Sequence, residues 1–197
     1  MGELPVVMSE SPTISDTPSD AAEPRLIAPT RTATPFHTTL AELNRMTPLQ
    51  ISTLVGDLLY NPTLGEEVAA AAPFRNLEHL LDVAHRELLR MPRVEVLASI
   101  QAHPVLGEQT SDIYSREEQS FILESPPEVL TEVADLGRRY EDRFHHLFLV
   151  CAQGIGGHEV LRLLRRRLDN PTVTEWETTV RELGRINTLR LRSVVRG

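Results

Sequence analysis

The sequence predicts an all-α fold: one bundle of about eight helices over residues 36–197, behind a disordered tail over residues 1–35. Two observations predict it. From residue 36 onward, apolar residues recur at helical spacing almost everywhere, with no internal repeat. Residues 1–35 instead hold six Pro, five Thr and four Ser without any apolar period, a composition that cannot build a core. With 197 residues and 41% hydrophobic content, the rest of the chain suffices for a single buried core.

The elements follow in order. A short helix is expected over 39–45. Pro48–Leu59 follows, with proline near its start and a stripe of Ile51, Leu54, Val55 and Leu58. The Ala-rich segment Pro62–Ala72 stops before Pro73. Asn76 caps an amphipathic helix carrying Leu77, Leu80, Leu81, Ala84 and Leu88. Pro92–Gln101 ends at His103-Pro104, because a residue before proline is pushed out of helical geometry. Residues 104–114 read as a loop, Ser115–Glu124 as a short helix and Pro127–Phe144 as a long one. Leu147–Ala152 is an apolar run that fits either an extended or a helical conformation. The turn Gln153-Gly154-Ile155-Gly156-Gly157 precedes helices over His158–Leu168 and Thr172–Val195.

Composition excludes several chemistries. All 20 basic residues are arginine, so a Schiff-base lysine, a P-loop lysine and a lysine base are ruled out. One cysteine, Cys151, excludes an intramolecular disulfide framework and multi-cysteine metal sites. A net charge of −8 and only nine aromatic residues speak against a nucleic-acid partner. The basic residues concentrate beyond residue 161, where a solvated helical face pairing with acids is the simpler reading. No apolar run suits a secretory signal or a membrane span, and the acids of the tail disfavour a transit peptide, so the cytoplasm is the expected location.

Candidate sites each carry a plain structural alternative. His103 sits at a helix stop stiffened by Pro104, where an imidazole suits acid/base work, or is simply a loop histidine. Ser115-Arg-Glu-Glu-Gln119 fits a capping box between Ser115 and Glu118; alternatively Glu118 and Gln119 face a pocket. His145 and His146 read as exposed or capping, since adjacent histidines point apart and no metal-binding spacing supports them. His79 and His85 read as surface residues, Cys151 as a small core residue, and Arg162–Arg167 as a solvated face. The glycine-rich turn could cradle a phosphate but lacks the G-x-G-x-x-G spacing.

Several segments match one family in order and spacing. They are Leu43-Asn44, Pro73-Phe74, Gln101-Ala-His-Pro-Val-Leu106 and Ser115-Arg-Glu-Glu-Gln119, then Tyr140-Glu-Asp-Arg-Phe144 and Phe148-Leu-Val. Glu182-Leu-Gly-Arg-Ile186 and Leu189-Arg-Leu-Arg192 complete the set. On these the chain, over about residues 38–195, resembles the 2-oxo-4-hydroxy-4-carboxy-5-ureidoimidazoline (OHCU) decarboxylases of ureide metabolism. The resemblance implies an all-helical homodimer that decarboxylates a small-molecule substrate without metal or organic cofactor. It implies His103 and Glu118 as catalytic residues, with Pro104, Ser115, Gln119 and Gln153 as substrate-binding positions.

The departures set further expectations. The family's His-Pro-Asp-Leu is His103-Pro104-Val105-Leu106 here, Ser-Pro-Trp is Asn61-Pro62-Thr63, and the substrate-binding arginine before glycine aligns with Gln153. A neutral amide replaces a charge-assisted bidentate donor at that position, which points to a less anionic substrate. Two alternatives follow: a divergent member acting on another ring acid in specialised metabolism, and a non-catalytic helical domain that binds a small molecule or a protein.

Overall fold

The structure is a computed structural model describing residues 37–196, and the tail expected over 1–35 lies outside them. The described residues form ten helices and one pair of two-residue strands. Strand β1 (Thr38–Thr39) leads into α1 (Leu40–Leu43), α2 (Pro48–Leu58), α3 (Pro62–Ala70), α4 (Leu77–Arg90) and α5 (Arg93–Gln101). After a loop come α6 (Ile113–Glu118), α7 (Ser120–Leu123) and α8 (Pro127–Phe144). An irregular run leads to α9 (Gly157–Leu168) and α10 (Thr172–Val194), and β2 (Val195–Arg196) returns to pair in parallel with β1. The all-α expectation holds. The helices outnumber the expected eight partly because the one expected over 115–124 breaks at Gln119.

Local signals explain most boundaries. Thr39 with Glu42, and Thr47 with Gln50, form reciprocal capping boxes, while Asn61 and Asn76 cap α3 and α4 through Leu64 N and His79 N. Each such cap satisfies amides that the first helical turn leaves without partners. Pro48, Pro62 and Pro127 occupy first-turn positions where no N–H is needed. The capping box expected at Ser115 is not formed. Asp112 caps α6, accepting Ser115 N at 2.8 Å, and Ser115 lies inside the helix with its hydroxyl turned inward.

Two apolar clusters fill the bundle. One gathers Leu43, Ile51, Leu64, Leu80, Leu88, Ile100 and Leu183; the other gathers Ile122, Val133, Tyr140, Phe144 and Leu164. Each fully buried side chain of this kind contributes about 1.5–3 kcal/mol. Residues 147–152 are neither helix nor strand, but they are extended enough to alternate. Leu147 and Leu149 enter the first cluster, whereas Phe148, Val150 and Ala152 enter the second. Side chains satisfy the backbone of this buried run: Arg167 Nη1 donates to the Leu149 carbonyl at 2.6 Å, and Cys151 N donates to Glu182 Oε2 at 2.9 Å.

The arginine face expected over Arg162–Arg167 divides. Arg162 and Arg165 are exposed and pair with Glu159 and Glu132. Arg167 is buried, bonded to Glu175, Thr179 and the Tyr140 hydroxyl, with its guanidinium 4.5 Å from the Phe148 ring centroid. Helical phase explains the split, since Arg167 lies on the inward stripe of Val160 and Leu164. The two adjacent histidines also part. His145 is exposed in the left-handed conformation that ends α8, whereas His146 is buried edge-on against Tyr140 and Trp176. His145 thus fits the expectation of an exposed or capping histidine, whereas His146 is neither, because the turn at His145 aims the next side chain inward.

One close approach sets up the site. A Cβ on Gly65 would lie 2.4 Å from the Ser52 carbonyl oxygen and 2.6 Å from Gly56 N. α2 and α3 therefore pack backbone against backbone, and the tight turn between them presents Tyr60 toward the start of the 104–112 loop.

Candidate active site

At the seam between the two clusters is a narrow crevice with about 20 Å³ of free space, room for roughly one water. His103, Pro104 and Leu106 line one wall, and Ser115, Glu118 and Gln119 another. Phe148, Leu149, Val150 and Ala152 come from the extended run, and Ile186 and Arg190 from α10. Five of the residues singled out from sequence, His103, Pro104, Ser115, Glu118 and Gln119, thus converge. Gln153 does not: it is exposed on the turn after Ala152 and is not among the lining residues.

His103 follows the last turn of α5, and its ring is buried. Nδ1 lies 2.7 Å from the Ser99 carbonyl oxygen, which can only accept, so Nδ1 carries the hydrogen in the neutral ring. Nε2 then holds a lone pair, is fully buried and has no hydrogen-bond partner. Burial, reinforced by the Arg190 charge and opposed by the Ser99 carbonyl, pushes the pKa of His103 down to about 3. At neutral pH the free site therefore holds a proton acceptor.

Arg190 is the residue that sequence reasoning left without a role. It reaches Glu118 through Nε at 2.8 Å and Nη2 at 3.0 Å, Ser115 Oγ at 3.1 Å, and the Leu58 carbonyl at 3.3 Å. Burial opposes its charge, but the Glu118 carboxylate more than offsets this, with Tyr60 and Asp112 adding to it, and holds its pKa above the usual value. Gln153 is outside the crevice, and the arginine that lines it comes from α10, 37 positions further along the chain. One local signal could have found it: Arg190 occupies the inward stripe of Leu183, Ile186, Asn187, Leu191 and Val194.

Gln119 sits at the break between α6 and α7. Its Oε1 accepts Gly107 N at 2.9 Å, tying the 104–112 loop to the helix that carries Glu118. Tyr60 completes the surroundings, its ring centroid 4.9 Å from that of His103 and 4.8 Å from the Arg190 guanidinium carbon. Among the described residues no group of three or more His, Cys, Asp or Glu side chains could hold a metal ion, and no helix is long and apolar enough to cross a membrane.

The helical scaffold thus buries a histidine, with its Nε2 unpartnered, in one crevice with a guanidinium–carboxylate pair. The sequence model of the OHCU decarboxylase family matches residues 44–192, and the chain belongs to that family and is a decarboxylase. It is similar to a 2-oxo-4-hydroxy-4-carboxy-5-ureidoimidazoline decarboxylase of Haloferax volcanii, 27% identical over 157 residues, which covers 78% of this chain and 94% of the relative. A uric acid degradation bifunctional protein of Bacillus sp. is 26% identical over 161 residues, 80% of this chain but only 32% of that longer protein. Among solved structures, an OHCU decarboxylase crystallised in the presence of (S)-allantoin matches with a TM-score of 0.63 at 20% identity, over 69% of this chain and 92% of the other. An (S)-allantoin synthase matches with a TM-score of 0.66 at 16% identity, over 81% and 54%. At these identities the structural matches bear on the fold alone.

Proposed function

We propose that the chain decarboxylates OHCU, with the crevice as its active site and His103 as the proton-transfer group. The observation that carries this reading is the buried, unpartnered Nε2 of His103 in a crevice whose other walls hold the Arg190–Glu118 pair and Gln119. The name of the Haloferax relative supports the substrate, and that of the Bacillus relative supports a place in uric acid degradation.

Loss of carbon dioxide leaves the electron pair of the broken C–C bond on the substrate, where the ring delocalises it. One proton must then reach that carbon or an atom sharing its charge. His103 takes up one proton from solvent at Nε2 as substrate binds and delivers it from one face, which gives one stereoisomer and consumes one proton for each carbon dioxide released. A substrate carboxylate beside Nε2 raises its proton affinity, opposing the effect of Arg190. The Arg190 guanidinium and the Gln119 amide stabilise developing negative charge, while Glu118 fixes the guanidinium plane and orients the ureido group. Pro104 and Ser115 shape the wall. Gln153 receives no role in this scheme, because the cation comes from α10. A ring acid is far larger than the free space, so its binding requires the crevice to widen.

Freshly generated OHCU should lose carbon dioxide faster with the protein than without it and give one enantiomer of the product. A rate equal to the uncatalysed one refutes the substrate. By its family resemblance the protein acts as a homodimer, and a monomeric mass in light scattering would refute the dimer.

A further inference from the structure

Tyr60 is in an unusual conformation for its type. Its φ is +52°, in the left-handed region that bulky side chains rarely occupy. Such a residue persists only where its surroundings hold it there, and residues of this kind cluster at functional sites. The other described non-glycine residue with positive φ, His145, is exposed at the end of α8. Tyr60 is buried, in the turn between two helices whose backbones touch at Gly56 and Gly65, so the turn has little freedom to relax.

The turn sets the ring against two groups of the crevice. The His103 ring meets it at an interplanar angle of 74°, edge to face, and the Arg190 guanidinium lies over it. The Tyr60 hydroxyl is 3.5 Å from Ser115 Oγ, and Asp112 faces it too. Tyr60 itself does not line the crevice, so it acts through its neighbours.

We propose that Tyr60 is a positioning residue: its ring, packed against both the His103 imidazole and the Arg190 guanidinium, holds the two in place and keeps water from the buried face of His103. The kinetic part of this inference rests on the decarboxylase reading; the part concerning His103 does not. The charged and titratable groups around His103 are Arg190 from α10, Glu118 from α6 and Tyr60 itself. Removing the ring admits water, which relieves the burial that keeps His103 neutral, and frees the guanidinium to swing.

Two substitutions separate the ring from the hydroxyl. Tyr60→Phe keeps the ring, and Tyr60→Asn removes it while tolerating the left-handed backbone. For Tyr60→Phe, kcat should stay within about threefold of wild type, and ring nitrogen NMR should find His103 neutral from about pH 5 to 8. For Tyr60→Asn, kcat should fall on the order of a hundredfold with KM within about threefold, and His103 should titrate inside that pH range. A merely structural role would lower the melting temperature and leave the titration and the kcat–KM split unchanged; that result overturns the proposal. If Tyr60→Asn does not fold, Tyr60→Leu keeps the apolar volume without a flat ring. A kcat loss of at least about tenfold then supports positioning, and an unchanged kcat overturns it. Should wild type fail to turn over OHCU, the titration still decides the role of Tyr60, and only the decarboxylase reading falls.

Discussion

Replacing Arg190 with Met tests whether the crevice is built around a buried ion pair. The Arg190 side chain is 2% exposed and that of its partner Glu118 14%. Met preserves most of the volume but removes both bonds to Glu118 and those to Ser115 Oγ and the Leu58 carbonyl. Glu118 is left as a mostly buried carboxylate without its counter-charge. Stripping one partner from such a pair costs about 3–5 kcal/mol, against a total stability of about 5–15 kcal/mol. For a chain of this size the melting temperature should fall by about 10 °C. Urea denaturation at neutral pH gives the free energy directly. A double-mutant cycle with Glu118→Gln should then show a coupling of about 1–3 kcal/mol, because the second change removes the stranded charge. A loss below about 1 kcal/mol for Arg190→Met, or strict additivity in the cycle, would mean that Arg190 is solvated and that the site has been misread.

Other consequences are equally direct. His103 stays neutral in the folded protein down to about pH 3, whereas in the unfolded chain it titrates near 6.5. Below that value the unfolded state binds the extra proton. The stability is therefore fully present above pH 6.5 and is lost as the pH falls toward 3, by about 2 kcal/mol between pH 7 and pH 5. His103→Gln should remove that part of the loss in urea titrations at the two pH values, and an identical loss in wild type and variant would refute the burial argument. Arg167→Met, which breaks the bonds to Glu175, Thr179 and the Leu149 carbonyl, should cost about 3–5 kcal/mol. The exposed Arg165→Ala, by contrast, should cost under about 1 kcal/mol; similar melting temperatures for these two variants would contradict the assignment of the buried network. Gln153→Arg should leave turnover within about twofold, since the side chain is exposed and outside the crevice, and a large gain would return position 153 to the substrate site.

Much of this was legible in the sequence because the signals were local. Pro48, Pro62, Asn76 and Pro127 start helices by chemistry confined to one turn, and the apolar stripes needed only helical phase. His103, Ser115, Glu118 and Gln119 stood out by motif, and the structure brings all four to one crevice. What escaped was set by distant partners. Arg190 and Glu118 are 72 residues apart, and Tyr140 and Glu175 are 35 apart, so neither burial nor charge pairing could be read from either stretch alone. Ser115 looked like a cap because its pattern fits one, but Asp112 stood three residues earlier and the Ser115 hydroxyl was drawn inward to Arg190. The run 147–152 gave no clear period because it serves two cores, one on each face, and takes its hydrogen bonds from Arg167 and Glu182 rather than from a neighbouring strand.

The central claim is that His103 moves the proton that decarboxylation requires. The most direct measurement compares carbon dioxide release from freshly generated OHCU by wild type and by His103→Ala, both shown to be folded by circular dichroism. Losing a positioned acid–base group should slow release by about 10²–10⁴-fold. A His103→Ala protein as fast as wild type would contradict the account.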